Sequence, residues 1–225
     1  MNLYRVDADC AYGVLPIVEE PGLVRFWAET AGKSSAANWR IPTMLVELDD
    51  DFVPVDCVCS ATTPGRGLLL NRRAREALGK LLSPCGEFLP VRLGSFDYQW
   101  FNCTVEIDAV DQEKIEGVPA EPPVPPRYWM EITRWAFKPE ALTQPPVIFG
   151  LPRHRPVLLC TDVLKSAVER ADLLGFEFEL LWSSETGGVP VRFGPPPMFG
   201  EAARELRERD RRKREAALAR LAQAS

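Results

Sequence analysis

The side chains of this chain whose chemistry could do work are one histidine, six cysteines and two runs of carboxylates. His154 lies between Arg153 and Arg155 in a turn-like Pro-Arg-His-Arg-Pro run. Two flanking cations disfavour its protonated form, which argues against a proton-shuttling role. The cysteines (Cys10, Cys57, Cys59, Cys85, Cys103 and Cys160) are dispersed, and only Cys57 and Cys59 are close in sequence. Residues two apart on a strand face the same way, but this spacing matches no zinc knuckle. Buried, reduced thiols are the expectation. Of the carboxylates, Glu47, Asp49, Asp50 and Asp51 lack the spacing and the glycine of a calcium loop and read as a solvated turn. Glu106 and Asp108 alternate with Val105 and Ile107, which puts them on the solvent face of a strand, with Asp111 just beyond. No G-x-S-x-G elbow and no G-x-x-x-x-G-K-[ST] phosphate loop occurs. We therefore assign no catalytic residue, no metal site and no cofactor, and expect the chain not to be an enzyme. The rival reading, a carboxylate site at Asp108 and Asp111, requires a concave pocket with shifted pKa values.

The elements that would carry these residues are clearest near the C-terminus. Val157 to Cys160 is an unbroken apolar run suited to a strand buried on both faces. Thr161 or Asp162 can cap the helix that follows, in which Leu164, Ala167, Val168 and Ala171 form one apolar stripe. Gly175 suits a positive-φ ending. Phe176, Phe178, Leu180 and Trp182 then alternate with Glu177, Glu179 and Leu181, the period of a strand. A helix joining two strands predicts a parallel, right-handed crossover in one sheet. Leu68–Leu70, a helix with Ala74, Leu78, Leu81 and Leu82, and a strand from Phe88 to Leu93 repeat this plan at an offset of 90 residues. That spacing suits either an old duplication or two similar units. A long strand is predicted from Tyr98 to Ile107, another from Tyr128 to Phe137, and looser ones at Leu23–Trp27, Met44–Leu48 and Val53–Cys59.

Together these predict an α+β fold: a mixed sheet with two strand–helix–strand units and a charged C-terminal helix. The expected organisation is an irregular N-terminal half with the first unit over 1–117 and a proline-rich connector over 118–126. The second unit then spans 127–186, a loop 187–200 and a charged helical tail 201–225. With 46% hydrophobic and 26% charged residues, the 225-residue chain is ordinary for a globular protein. No apolar run approaches the roughly 20 residues of a membrane span, and Met1–Asp7 shows no signal-peptide apolar core, so no membrane partner and a cytoplasmic location are expected. The net charge of −5 divides unevenly: residues 201–225 carry +3, leaving −8 on the rest. An acidic body with a mixed-charge tail does not fit a nucleic-acid binder.

Several segments in order resemble the Imm11 (DUF1629) family of bacterial immunity proteins. The resemblance covers roughly 50–182. It begins with Asp51-Phe52 and an apolar strand from Leu68, then a helix of the Arg-Arg-Ala-Arg-Glu-Ala-Leu type and Gly86-Glu-Phe-Leu-Pro-Val91. An aromatic-rich strand with Asn102 follows, then Asp108-Ala-Val-Asp111-Gln-Glu-Lys114, Val147-Ile-Phe149, Leu158-Leu-Cys160 and Gly175-Phe-Glu-Phe178. The proline run, the 187–200 loop and the basic tail depart from the pattern. The resemblance implies a cytoplasmic antidote that neutralises a cognate toxin by stoichiometric protein–protein inhibition. The acidic body would suit a basic toxin. Trp27, Trp39, Glu47, Asp49, Asp50 and Asp51, in the irregular half where loops vary, are the candidate partner-binding residues. A self-assembling scaffold using the charged tail is a third reading, although Leu206, Leu218 and Leu221 keep no heptad.

Overall fold

The computed structural model describes residues 1–12, 14–15, 34, 36–39, 53–60, 67–93, 95–119, 129–154, 157–191 and 200–224. Its first helix, α1 (Arg72–Leu82), begins where Asn71 turns extended and its side-chain oxygen accepts from the Ala74 N–H at 2.9 Å. That bond satisfies one of the free donors at a helix start. Ala74, Leu78 and Leu82 then fall on one face and are fully buried. The second helix, α2 (Asp162–Arg170), buries Leu164 and Val168 in the same way. Thr161 occupies its cap position without making a side-chain cap bond. The Asp162 carboxylate turns instead to the N-terminal strand, accepting from the Asn2 N–H at 2.7 Å, the Asn2 amide at 3.0 Å and the Tyr4 hydroxyl at 3.1 Å. Asp172, in the left-handed region (φ 53°), ends this helix; Gly175 (φ +87°) turns the chain into the next strand. A Cβ at Gly175 would meet the Cys57 carbonyl at 1.9 Å, so only glycine fits there.

The fold is α+β, and its strands form two five-stranded sheets rather than one. In the first, β11 (Phe176–Ser183), β1 (Asn2–Ala8), β10 (Leu158–Thr161) and β9 (Ile148–Gly150) lie side by side, with β12 (Gly187–Gly188) outside β11. In the second, the order is β2 (Val14–Leu15), β3 (Cys57–Ser60), β4 (Gly67–Asn71), β6 (Tyr98–Cys103) and β5 (Gly86–Pro90). Among the described strands each paired couple is antiparallel except β2–β3, which makes the second sheet mixed. The strands joined by each helix are indeed parallel, but they are not neighbours. β6 lies between β4 and β5, and β1 lies between β10 and β11, antiparallel to both in each case. The two strand–helix–strand units therefore share one split topology, in line with their common offset. The strand Asn2–Ala8, which the sequence groups with 1–117, completes the sheet of the C-terminal unit.

Three apolar clusters hold these layers. Both helices and one face of each sheet share the first, which includes Val6, Leu70, Leu78, Phe101, Cys160 and Val168. The opposite face of the second sheet (Leu69, Leu89, Trp100) is covered by Tyr12, Val53, Val55 and Ala217. The opposite face of the first sheet (Leu3, Phe149, Leu159) is covered by Ala109, Val110, Ile132, Trp135 and Phe137. Burial on both faces is why Leu68–Leu70 and Leu158–Cys160 are unbroken apolar runs. The strand expected from Tyr98 to Ile107 leaves the second sheet after Cys103. Its continuation bridges to β9, where the Gly150 N–H donates to the Val105 carbonyl at 2.9 Å and the Ile107 N–H to the Gly150 carbonyl at 3.1 Å.

β7 (Glu116–Pro119) pairs with β8 (Trp129–Arg134) as a separate two-stranded ribbon, so the proline-rich segment begins as strand and the remainder of 118–126 lies outside the described residues. The expected loop over 187–200 likewise opens with β12. The strands expected at Leu23–Trp27 and Met44–Leu48 fall outside the described residues. The tail is one helix, α3 (Glu201–Ala224). It is not simply solvated: Ala217 is buried, Lys213 reaches Asp9 at 2.5 Å, Arg214 donates to the Ala11 carbonyl at 3.1 Å, and Arg220 pairs with Asp172. Among the described residues no helix is long and apolar enough to cross a membrane.

Candidate functional site

Of the candidate partner-binding residues, Trp39 is placed: its half-buried indole N–H donates to the Pro90 carbonyl at 2.8 Å, and its ring packs on the Trp100 cluster. It fastens its segment to the end of β5. Trp27, Glu47, Asp49, Asp50 and Asp51 lie outside the described residues. The carboxylates of the rival reading face different partners. Asp108 points to solvent with Lys138 at 4.0 Å. Asp111 is bound by Lys114 at 2.8 Å and accepts from the Glu113 N–H, and the Lys114 bond holds its carboxyl below the usual range. His154 stands edge-on to Trp135, 5.0 Å between centroids, with the Gln112 amide at 3.1 Å; burial, then Arg153, pushes its pKa down. Cys57, Cys85, Cys103 and Cys160 are buried free thiols as expected, whereas Cys10 is disulfide-bonded, which corrects the all-reduced expectation. Among the described residues no group of three ligating side chains is positioned to hold a metal.

A polar hub lies beside α3. Asp56, with its side chain 6% exposed, accepts from Arg73 at 2.9 Å, the Leu174 N–H at 2.8 Å and the Asn71 amide at 3.1 Å. Arg73 also donates to the Ala171 and Asp172 carbonyls at the end of α2. These groups border a cleft of about 450 Å³. Because these charges satisfy one another, the hub ties 56, 71–73 and 171–174 together.

Among the described residues, half of one edge of β11 has no partner strand. Its inner edge pairs with β1 over its whole length, from Ala8 opposite Phe176 to Asn2 opposite Ser183. On its outer edge β12 pairs only with Trp182 and Ser183, and Val189 N–H bonds the Leu181 carbonyl. Burial follows this pairing: Leu181, Trp182 and Ser183 are buried, while Phe176 to Leu180 are half-buried or exposed. A register shift opposite Leu3/Tyr4 explains the change of face, because Leu181 and Trp182 both join the Leu3 cluster. Along Phe176–Leu180 no strand among the described residues pairs with the outer edge.

The two faces of this half-strand differ in chemistry. On the helix side Phe176 and Phe178 stack, with centroids 6.2 Å apart and planes at 8°, and Tyr4 meets Phe178 edge-on at 6.3 Å. Tyr4 is itself fixed by Asp162, and the Lys165 ammonium sits 5.8 Å over its ring. On the other face Arg5 pairs with Glu179 at 3.0 Å, but Asp7 is registered directly opposite Glu177. Like charges opposite one another destabilise a sheet. Partial desolvation, then Asp9, pushes the Glu177 carboxyl above its ordinary value; Asp7 adds to this, while Lys213 and Arg5 oppose it. The result is a row of ordered aromatics on one face and an acidic pair, only partly offset by Lys213 and Arg5, on the other, beside backbone that no strand among the described residues pairs with. An exposed strand edge of this kind can accept a further strand, and ordered aromatics can anchor one. The alternation of Phe176–Leu180 was legible as a strand; that its outer edge is open was not, because β1 comes from the other end of the chain.

No family model matches the chain, and no curated protein matches it in sequence.

Proposed function

We propose that this chain is an immunity protein that acts without a cofactor in the bacterial cytoplasm, binding a cognate toxin and neutralising it stoichiometrically. The observation that carries this reading is the half-open β11, with ordered aromatics on one face and the Asp7–Glu177 pair on the other. Tight inhibitors work through interfaces of about 1,200–2,000 Å² with a few aromatic or arginine anchors, and Tyr4, Phe176 and Phe178 supply pre-ordered anchors. The family-like segments support it from the other side: Arg72–Leu78, Gly86–Pro90 and Phe176–Phe178 build the scaffold that holds this edge. An acidic face speeds encounter with a basic partner. The test is growth rescue. The candidate toxin encoded beside this chain is expressed with and without it, and the pair is purified. Rescue together with a stable equimolar complex is the expected result. An active toxin that is neither bound nor neutralised, with both proteins soluble, rejects that pairing.

A further inference from the structure

We propose that the partner docks by strand addition: an extended segment alternating apolar residues with lysine or arginine pairs with the outer edge of β11 along Phe176–Leu180. Its apolar side chains lie over Phe176 and Phe178, and its cations lie over Glu177 and Asp7. This rests on the protein-binding reading above and specifies its mode and the partner's chemistry. Main-chain pairing with an exposed edge supplies affinity, and alternate side chains supply selectivity.

Three observations converge on this edge. The row begun by β12 stops at the bond from the Val189 N–H to the Leu181 carbonyl, and just before the strand Leu174 is engaged by β3, the Cys57 N–H donating to its carbonyl at 3.0 Å. That frames a window of five residues, roughly 17 Å of strand at about 3.3 Å per residue. Among the described residues the other sheet edges are occupied or shorter, β7 spanning only the four residues Glu116–Pro119 and ending on a proline. The outer side of β9 is bridged by Glu106, and β5 is overlaid by Trp39 on Pro90 and by Ser34 on Glu87, while β2 spans only Val14–Leu15. The charge then selects the occupant. A second copy of β11 would bring glutamates against glutamates, the usual protection of an edge against self-pairing. A basic strand would instead relieve the Asp7–Glu177 repulsion.

The experiment uses the full chain and a short blocked peptide alternating lysine with valine, followed by hydrogen exchange and affinity measurement. Protection of the Phe176–Leu180 amides is expected, with none from the matching glutamate–valine peptide. N-methylating alternate residues of the peptide in its two possible registers should abolish binding in one register and spare the other, because only one edge of the peptide donates. Glu177→Lys should weaken binding by roughly tenfold or more while leaving the protein at least as stable; Glu177→Gln should fall between. Protection at another edge, equal binding of the glutamate peptide, indifference to both registers or unchanged affinity of Glu177→Lys overturns the proposal, as does self-association through β11. The two readings fail separately. Peptide docking at β11 without toxin rescue retires the antidote and keeps the edge. Rescue by Glu177→Lys at unaltered toxin affinity keeps the antidote and retires the edge.

Discussion

Two carboxylates of β1 and β11's surroundings, Asp162 and Glu177, carry opposite electrostatic loads. Burial by itself would raise the Asp162 carboxyl, but the bonds from the Asn2 N–H, the Asn2 amide and the Tyr4 hydroxyl, with the charged N-terminus, outweigh it and hold it low. A folded-state pKa below the unfolded value makes a contribution that is complete above about pH 3.9 and is lost as pH falls through the folded value. Asp162→Asn is therefore expected to lower stability at neutral pH by about 1 kcal/mol and to flatten the acid limb of the stability curve. Glu177 has the reverse sign, since its folded pKa is raised. Its favourable contribution is complete below the unfolded value, about 4.3, and is lost as pH rises through the folded one. Glu177→Gln should gain a few tenths of a kcal/mol at neutral pH, less in high salt, and nothing in acid. Urea denaturation of both variants at neutral and acid pH reads the two signs side by side. A residue whose removal stabilises the fold is one the fold alone does not require.

At the level of elements, what the residue pattern made legible was local. Apolar periodicity in Ala74–Leu82 and Leu164–Val168 located both helices, and the Asn71 cap is of the same local kind, since its side chain acts within its own turn. Thr161 and Asp162 were not separable that way, because the partner that draws Asp162 away is Asn2, 160 residues distant in sequence. The tail illustrates the same limit. Its composition reads only as a charged helix, yet one face is fixed by Lys213, Arg214, Ala217 and Arg220 on groups spread from Asp9 to Asp172. Ala217→Lys would force a cation into the Tyr12–Trp100 cluster, which costs about 1–3 kcal/mol. Hydrogen exchange should then accelerate along the second half of α3 while β4 and β6 keep their protection. Leu218→Ala, one residue on and 52% exposed, should change stability by no more than about 0.5 kcal/mol. Equal effects of the two substitutions would mean that α3 is not docked by this face.

The whole molecule is interlocked rather than assembled from a first and a second half. β1 comes from the N-terminus yet lies between β10 and β11, and the hub on Asp56 reaches both the start of α1 and the end of α2. The central cluster draws Leu70 and Phe101 from one sheet, Val6 and Cys160 from the other, and Leu78 and Val168 from the two helices. Strand order of this kind is invisible to periodicity, which reports only what repeats within a few residues. This is why the two similar units were legible at their offset of 90 while the strand that splits each of them was not. The interlock has a thermodynamic consequence. Neither unit can open without stripping apolar surface from the other, so thermal unfolding should be one transition, with calorimetric and van't Hoff enthalpies in agreement. A chain divided within the 118–126 connector should give two pieces that fold only when mixed, since the second piece lacks β1 and leaves β10 and β11 unjoined. Two resolved transitions, or a second piece that is folded alone, would show that the sheets are independent. One transition would mean that stability lost anywhere in the scaffold, as in Asp162→Asn, is shared by the β11 edge. Binding variants should therefore be compared only at matched stability, and Glu177→Lys meets that condition because its expected change in stability is in the favourable direction.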